Sequence, residues 1–133
     1  MREILFRGKR TDNGKWECGD LLSPNEFNAI PHIVYIDYLN EYGDIGEIST
    51  PVIPETVGQY TGLTDNNGRK IFEGDIVDYI SSDVIGNPKT GTIIVEDMTD
   101  YDTMIYLNHS DELQIIGNIH DNPELLKGGG NNG

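Results

Sequence analysis

Apolar and polar residues alternate along much of the chain, and the spacing typical of amphipathic helices is scarce. Residues 33–39, IVYIDYL, are apolar on nearly both faces, which is typical of a strand that is partly buried on both sides. Breaks that contain glycine, asparagine or aspartate separate most of the strand-like runs. Strands are predicted at 4–6, 16–22, 33–39, 57–60, 75–80, 92–96, 104–108 and 114–120. This spacing predicts a barrel or a sandwich rather than parallel βαβ units. We expect a mainly β fold whose short antiparallel strands form barrel-like, SH3-like parts.

Two short helical turns are also predicted. Residues 23–26, SPNE, form a capping box with proline at the first helical position, but Pro31 leaves room for barely two turns. Residues 121–126, DNPELL, combine a capping residue, a proline and an acid in the same way. The last residues, 128–133, have nothing to bury and are predicted to be disordered.

Two segments of the chain resemble each other. TDNGKWECGDLL at 11–22 and TDNNGRKIFEGDIV at 64–77 each place an Asn-Gly turn before a short strand and a Gly-Asp pair after it. Positive φ at the turn and a Gly-Asp bend suit the corners of a small barrel, so we interpret both segments as structural rather than catalytic or metal-binding. The turn and corner residues are Asn13, Gly14, Gly19, Asp20, Asn67, Gly68, Gly74 and Asp75. The repeat also predicts two β parts, 1–57 and 58–127, that together form one compact unit.

The composition predicts a cytoplasmic protein of about one domain. A chain of 133 residues can bury a core without help from a metal or a disulfide. No apolar run approaches the roughly 18 residues that span a membrane, and the start, MREILFRGKR, does not resemble a secretory signal. Cys18 is the only cysteine, which excludes an internal disulfide and a cysteine-based zinc cluster. Its position on an alternating strand predicts a small core residue.

Charge is distributed unevenly along the chain, whose formal net charge is −14. Residues 1–15 carry five bases and two acids, a net of +3, whereas residues 16–133 carry four bases and 21 acids, a net of −17. Most of this surface repels DNA phosphates, so direct nucleic-acid binding is not expected. Two interpretations stay open: the acids keep the protein soluble, or they dock a basic partner and mimic the charge of nucleic acid.

The densest acidic segment is 96–102, EDMTDYD. Spaced carboxylates are ligands that calcium takes, and a metal-dependent hydrolase would use Asp97, Asp100 and Asp102 with His109. The segment lacks the alternate ligands, central glycine and distal glutamate of an EF-hand, which favours a solvated loop. The chain also has no phosphate-binding loop, dinucleotide motif or nucleophile elbow. We therefore predict no cofactor and no enzyme activity, and the hydrolase is kept as an alternative.

The similar segments are part of a wider resemblance. The stretches GQYTGLTDNNGRKIFEGDIVDY at 58–79, IIGNIHDNPELL at 115–126 and REILFRGKRTDNGKWECGDLL at 2–22 resemble the YopX family, small proteins encoded by bacteriophages and prophages. Residues 27–56 and 81–111 carry no motif of the family. The resemblance implies a mainly β fold and an accessory role in a phage or prophage of a bacterial host, and it supplies no catalytic residues.

The chain contains seven tyrosines but only three phenylalanines. Tyrosine suits half-buried strands as well as protein interfaces, so core filling and partner binding both explain the surplus. We expect function by protein binding, either to another copy of the chain or to a basic host protein that handles nucleic acid. The candidate interface residues are Arg7, Lys9, Arg10, Lys15, Tyr35, Tyr38, Tyr101 and Tyr106.

Overall fold

Antiparallel strands make up most of the regular structure in the computed structural model of the protein. The structure describes residues 4–26, 29–39, 41–43, 45–82, 85–96, 107 and 110–128. The strands in these ranges are β1 (Phe6–Lys9), β2 (Trp16–Leu22), β3 (His32–Leu39), β4 (Ile45–Pro51), β5 (Gly58–Thr64), β6 (Lys70–Phe72), β7 (Asp75–Ser82), β8 (Pro88–Ile94) and β9 (Glu112–Asn118). A 3-10 helix covers Pro54–Thr56, and a short α-helix, α1, covers Glu124–Gly128. The mainly β, antiparallel fold that the alternation predicts is confirmed.

The chain divides into two compact units, Met1–Gln59 and Tyr60–Gly133. The division falls inside β5, two residues beyond the boundary predicted after residue 57. The strand order in each unit is open at the described strands, so the barrel-like parts expected from the sequence are not closed barrels there. No helix among the described residues is long and apolar enough to cross a membrane.

A sheet with the order β4-β3-β2-β1 forms the first unit, and the first two residues of β5 continue it beside β1. Ile33 and Val52 are fully buried here, and each such burial contributes about 1.5–3 kcal/mol. Gly8 lies so close to Val52 that an added Cβ would be 2.9 Å from the Cβ of Val52. Glycine at this position therefore lets β1 approach the core of the unit.

In the second unit β8, β7 and β9 form a three-stranded sheet, and the rest of β5 pairs with β6. Its core contains an apolar cluster of Ile71, Val77, Val95, Leu107 and Leu113. Strand β7 begins with three buried residues and alternates from Val77 onward, where Val77 is buried while Asp78 and Ile80 are exposed. One side of this sheet thus covers the core, and the other side faces solvent.

Some predicted elements differ from the structure. Residues 23–26 form no helix, because Pro31 leaves too few residues for a helix that gains nothing from packing. The strand predicted at 104–108 lies outside the described residues except for Leu107, which is helical and buried in the second core. Helix α1, in contrast, begins inside the segment 121–126, so the second predicted helical turn is confirmed.

One strand was not predicted, and one side-chain placement was wrong. The missed strand is β4, which contains glycine and proline, two poor strand formers. Strand β6, only three residues long, is the short strand expected after the TDNNG turn. Cys18 is exposed rather than in the core. The more buried side of β2 carries Gly19, where an added Cβ would clash with the backbone carbonyl oxygen of Val34, so glycine lets β3 approach closely.

Candidate functional site

The turn at residues 64–69, TDNNGR, joins β5 to β6 and is centred on the carboxylate of Asp65, whose side chain is 0% exposed. Asp65 Oδ1 accepts hydrogen bonds from the backbone N–H groups of Asn67 and Arg69, both at 2.9 Å. Asp65 Oδ2 accepts one from the N–H of Ile115 at 3.2 Å and forms an ion pair with the Arg69 guanidinium, also at 3.2 Å. The turn is built around one charge that the chain itself satisfies.

These bonds decide the protonation state of Asp65. Burial by itself would raise the pKa of Asp65, because it disfavours the charged carboxylate. Hydrogen bonds from the backbone of Arg69, Ile115 and Asn67, with the positive charge of Arg69, outweigh burial and hold the pKa of Asp65 below its ordinary value. Asp65 is therefore ionised near neutral pH and is not tuned to exchange protons with a substrate.

The same turn supplies hydrogen-bond partners to the backbone along the outer edge of strand β9. The backbone N–H of Asn66 donates to the carbonyl oxygen of Leu113 at 2.9 Å, and Asn66 Oδ1 accepts from the N–H of Leu113 at 3.1 Å. The Arg69 guanidinium donates to the carbonyl oxygen of Ile115 at 2.7 Å. Side chains and turn backbone here take the place that a neighbouring strand would occupy, which covers an edge that is otherwise prone to aggregation.

Gly74 and Asp75 lie where β6 turns into β7. Gly74 has a φ of 96°, in the region that favours glycine, and its N–H donates to the carbonyl oxygen of Val95. Asp75 is 2% exposed, and its Oδ2 accepts a hydrogen bond from the N–H of Phe72 at 2.8 Å. The corner thus uses its carboxylate to hold backbone together, which is the arrangement expected for a structural Gly-Asp pair.

The earlier segment, 11–22, has the turn but not the corner. Gly14 and Gly68 both have positive φ, 71° and 81°, and Asn13 Oδ1 accepts a hydrogen bond from the backbone N–H of Lys15. Asn67 is exposed in its turn. The corner predicted at Gly19 and Asp20 is absent, because both residues lie inside β2 and Asp20 is exposed. Strand β2 pairs with β1 at Gly19 and with β3 at Asp20, which leaves no place for a bend.

Arg10 is occupied by contacts within its own hairpin. Its guanidinium lies 2.9 Å from a carboxylate oxygen of Asp12 and 3.1 Å from one of Glu17. The hydrogen bond from Arg10 lowers the pKa of Asp12, and the two acids raise the pKa of Arg10. Arg10 therefore adds little to the positive charge that the sequence assigns to this region.

The other candidate interface residues that the structure describes belong to the first unit. Arg7 and Lys9 lie over the ring of Trp16, with 4.5 Å from Arg7 Cζ and 5.8 Å from Lys9 Nζ to the ring centroid. Lys15 is exposed and Tyr35 is half-buried. Tyr101 and Tyr106 lie outside the described residues, and the structure describes the backbone of Tyr38 without its side chain.

The acidic segment considered for metal binding also lies outside the described residues, since Asp97, Asp100, Asp102 and His109 all do. Within the part of the chain that the structure describes, no three histidine, cysteine, aspartate or glutamate side chains come together in a way that would hold a metal ion. The described residues therefore add no candidate metal ligand for the hydrolase that the sequence left as an alternative.

A surface that the sequence did not single out lies on the solvent side of the β8-β7-β9 sheet. Cross-strand pairing places Asp78 level with Thr92 and Gln114, and Ile80 level with Thr90 and Glu112. We call this set the acidic face; its members are Asp78, Ile80, Thr90, Thr92, Glu112 and Gln114, and all six are exposed. In the sequence, the polar positions of the alternating strands indicate which side of a strand faces solvent. They do not indicate which strands lie next to each other, so this surface could not be assembled from the sequence.

The two carboxylates of the acidic face each accept a hydrogen bond from a neighbouring side chain. Asp78 Oδ1 accepts a hydrogen bond from the hydroxyl of Thr92 at 2.7 Å, and Glu112 Oε1 accepts one from Asn66 Nδ2 at 3.0 Å. Both donors are neutral, so neither carboxylate is compensated by these contacts. Asp78 and Glu112 are diagonal neighbours on β7 and β9, a relation that places residues about 7–8 Å apart.

A pocket of about 380 Å³ opens among these residues. All six members of the acidic face line it, together with Asn66, Tyr79, Gly91 and Leu113. Tyr79 lies across Gly91 on the neighbouring strand, where an added Cβ would be 2.6 Å from Tyr79 Cε1. The pocket combines two carboxylates with threonine hydroxyls and the apolar side chain of Ile80, which is 40% exposed.

Comparisons with known proteins agree on the family and the fold. The sequence model of the YopX protein family matches residues 5–127, nearly the whole chain. The crystal structure of protein EF1440 from Enterococcus faecalis is similar, with a TM-score of 0.52 and 23% sequence identity over 95% of this chain and 99% of that one. At this identity the likeness supports the fold alone. No curated protein matches the sequence at a significant level. The chain, with its two Asn-Gly turns and its antiparallel sheets, belongs to the YopX protein family.

Proposed function

We propose that this chain is a phage or prophage accessory protein that binds a basic protein partner through the acidic face, in the cytoplasm of a bacterial host. The observation that carries the proposal is the cross-strand pairing that sets Asp78 and Glu112 in one exposed pocket, where they accept hydrogen bonds from the neutral side chains of Thr92 and Asn66. The net charge of −14 supports it, because the whole molecule attracts basic proteins and steers them toward such a face.

The chemistry of the pocket fits an arginine or lysine side chain. Such a side chain has a charged head that binds carboxylates and an apolar stem that packs on apolar surface. Asp78 and Glu112 are placed to bind the head, and Ile80, level with Glu112, offers a surface for the stem. Asp65, Asp75 and Arg69, in contrast, are already committed to holding the backbone, so we assign them no part in binding.

The test is the binding of a fluorescently labelled, arginine-rich peptide, followed by anisotropy. The variant Asp78→Asn/Glu112→Gln removes two charges from the acidic face, and Glu26→Gln/Glu41→Gln removes two exposed charges from the other unit. We expect the first variant to weaken binding by about tenfold or more, which is the effect of losing close charge pairs. The control variant should stay within about twofold of wild type, because it removes the same number of charges from outside the acidic face.

Equal weakening in both variants would mean that the peptide responds to total charge, and the acidic face would then not be the binding site. Thermal melting of all three proteins accompanies the titration. Since all four acids are exposed, we expect similar melting temperatures, so that a loss of binding reports on the face and not on folding.

A further inference from the structure

We infer that Asn13 is a site of spontaneous covalent modification, where the fold favours deamidation of asparagine to aspartate or isoaspartate. The inference concerns the hairpin between β1 and β2 and is independent of the acidic face. Asparagine is a thermolabile residue, and a following glycine has no Cβ to keep its side chain away from the next peptide nitrogen. Three Asn-Gly pairs occur in the chain, Asn13-Gly14, Asn67-Gly68 and Asn132-Gly133. The structure describes the first two and distinguishes between them.

The reaction needs only the chain and water. The backbone nitrogen of Gly14 loses its proton and attacks Cγ of Asn13, which closes a five-membered succinimide ring. The bond from Cγ to the side-chain nitrogen breaks, and that nitrogen leaves as ammonia with the proton. Water then opens the ring at Cγ to give aspartate, or at the backbone carbonyl carbon to give isoaspartate. Nothing is oxidised or reduced, and a neutral amide is replaced by a carboxylate.

The two described pairs share the features that their sequence supplies. Both asparagines are exposed, both glycines have positive φ, and a Cβ added to either glycine would meet nothing within 4 Å. Water therefore reaches both. The attacking N–H is also engaged at both sites, because Gly14 donates to the carbonyl oxygen of Arg10 at 3.1 Å and Gly68 to that of Asp65 at 3.0 Å. Neither site gains an advantage from these features.

The first difference lies at the side-chain oxygen of the asparagine. The backbone N–H of Lys15 donates to Asn13 Oδ1 at 2.9 Å, a bond that folds the side chain back along its own backbone. Oδ1 is the atom that becomes negative when Cγ turns tetrahedral, so this donor stabilises the transition state more than the ground state. Among the described residues, none donates to the side-chain oxygen of Asn67, whose backbone N–H is bonded to Asp65 Oδ1.

The second difference is the charge beside the attacking nitrogen. Asp65 Oδ1 accepts hydrogen bonds from the peptides on both sides of Gly68, and this buried carboxylate opposes the loss of a proton there. The acid next to Asn13 is Asp12, which is exposed and accepts two hydrogen bonds from the Arg10 guanidinium, both at 2.9 Å. Solvent and Arg10 therefore offset the negative charge at the first site.

The third difference is how firmly each turn is held. The TDNNGR turn is bonded to β9 through Asn66 and Arg69, so it opens only when contacts with a distant strand break. In the described part of the chain, the residues at 12–15 form hydrogen bonds only within their own hairpin. The first turn therefore opens at a lower free energy and frees the Gly14 nitrogen for attack more often.

The product changes the charge of the basic segment 1–15, whose net charge is +3. Each deamidation at position 13 adds one negative charge there, next to Arg10 and Lys15. A carboxylate accepts the Lys15 N–H more strongly than an amide does, so the aspartate form keeps the turn. The isoaspartate form adds one methylene group to the main chain. Older molecules therefore carry a less basic hairpin.

Peptide mapping by mass spectrometry, after incubation in mildly alkaline heavy-oxygen water, measures each site separately. In the folded protein we expect Asn13 to deamidate about tenfold faster than Asn67, the factor that one additional hydrogen bond to the transition state gives. In urea that unfolds the chain, the two rates should come within about twofold of each other, because only local sequence then distinguishes the pairs. Equal rates in the folded protein, faster reaction at Asn67, or a tenfold difference that persists in urea would each overturn the inference.

A matched pair of variants tests the role of the Lys15 N–H. Lys15→Pro removes this donor and should slow Asn13 by about tenfold, whereas Lys15→Ala keeps the donor and should stay within about twofold of wild type. Tryptophan fluorescence of Trp16, the next residue, checks that the hairpin folds in both variants. Equal rates at Asn13 in two folded variants would show that the Lys15 N–H does not promote the reaction. If Lys15→Pro does not fold, the comparison of Asn13 with Asn67 in wild type decides by itself.

Discussion

At the scale of residues, burial decides what a charged side chain does in this protein. Asp65 and Asp12 hold equivalent places in the two similar turns, but the side chain of Asp65 is 0% exposed and that of Asp12 is 60% exposed. Both pKa values are lowered, that of Asp12 by the hydrogen bond from Arg10 and that of Asp65 by backbone N–H groups acting against burial. The same residue type at the same turn position therefore differs in its importance for folding.

The matched substitutions Asp65→Asn and Asp12→Asn measure this difference. Asp65→Asn turns one acceptor oxygen into an NH2 group among N–H donors and removes the ion pair to Arg69, so we expect it to lower the free energy of unfolding by about 2–4 kcal/mol. Asp12→Asn should leave that free energy nearly unchanged. Urea unfolding followed by tryptophan fluorescence measures both, and equal losses would contradict the role assigned to burial.

The pH dependence provides a second readout of the same substitution. The folded pKa of Asp65 lies below the unfolded value of about 3.9, so its stabilisation is complete above that value and is lost as pH falls through the folded pKa. The difference in unfolding free energy between wild type and Asp65→Asn should therefore shrink as the pH is lowered from about 5 to about 2. A difference that stays constant across this range would show that ionisation of Asp65 is not what stabilises the turn.

At the scale of elements, the TDNNGR turn acts as a replacement strand for β9. The Asn-Gly signal predicted the turn, and the alternation predicted β7 and β9, but nothing in the sequence showed that the turn meets β9 some 46 to 50 residues later. Strand partners far apart in sequence are chosen by packing of the core, here Ile71, Val77 and Leu113, and local patterns carry no record of that choice.

Arg69→Gln tests the contact between turn and strand, with Arg10→Gln as its matched control. Loss of the Arg69 bond to the carbonyl oxygen of Ile115 and of its ion pair to Asp65 should loosen the β9 edge. We expect the Ile115 amide to exchange faster by a factor equivalent to about 1–2 kcal/mol of opening free energy. Hydrogen exchange measured by NMR reports this directly. Unchanged exchange at Ile115, or an equal change in Arg10→Gln, would count against the edge contact.

At the scale of the whole molecule, the net charge of −14 opposes folding and favours association with basic proteins. Repulsion among the acids is screened by salt, so the folded protein should be more stable at higher ionic strength. In dilute solution we expect added sodium chloride to raise Tm by about 4 °C for a gain on the order of 1 kcal/mol, as suits a chain of this size. Asp78→Asn/Glu112→Gln, with two fewer charges, should gain less, and a Tm that falls with salt would refute this account.

Residues that are neighbours along the chain were enough to predict the strand-rich class, the two Asn-Gly turns, helix α1 after Pro123 and the family. Tertiary packing set the structural role of individual residues. It placed Asp65 in the interior, kept Gly19 and Asp20 inside β2 and set Asp78 beside Glu112. These outcomes depend on which strands pair and on which side of each strand is buried. The two-residue alternation of side chains along a strand fixes neither until the core packs.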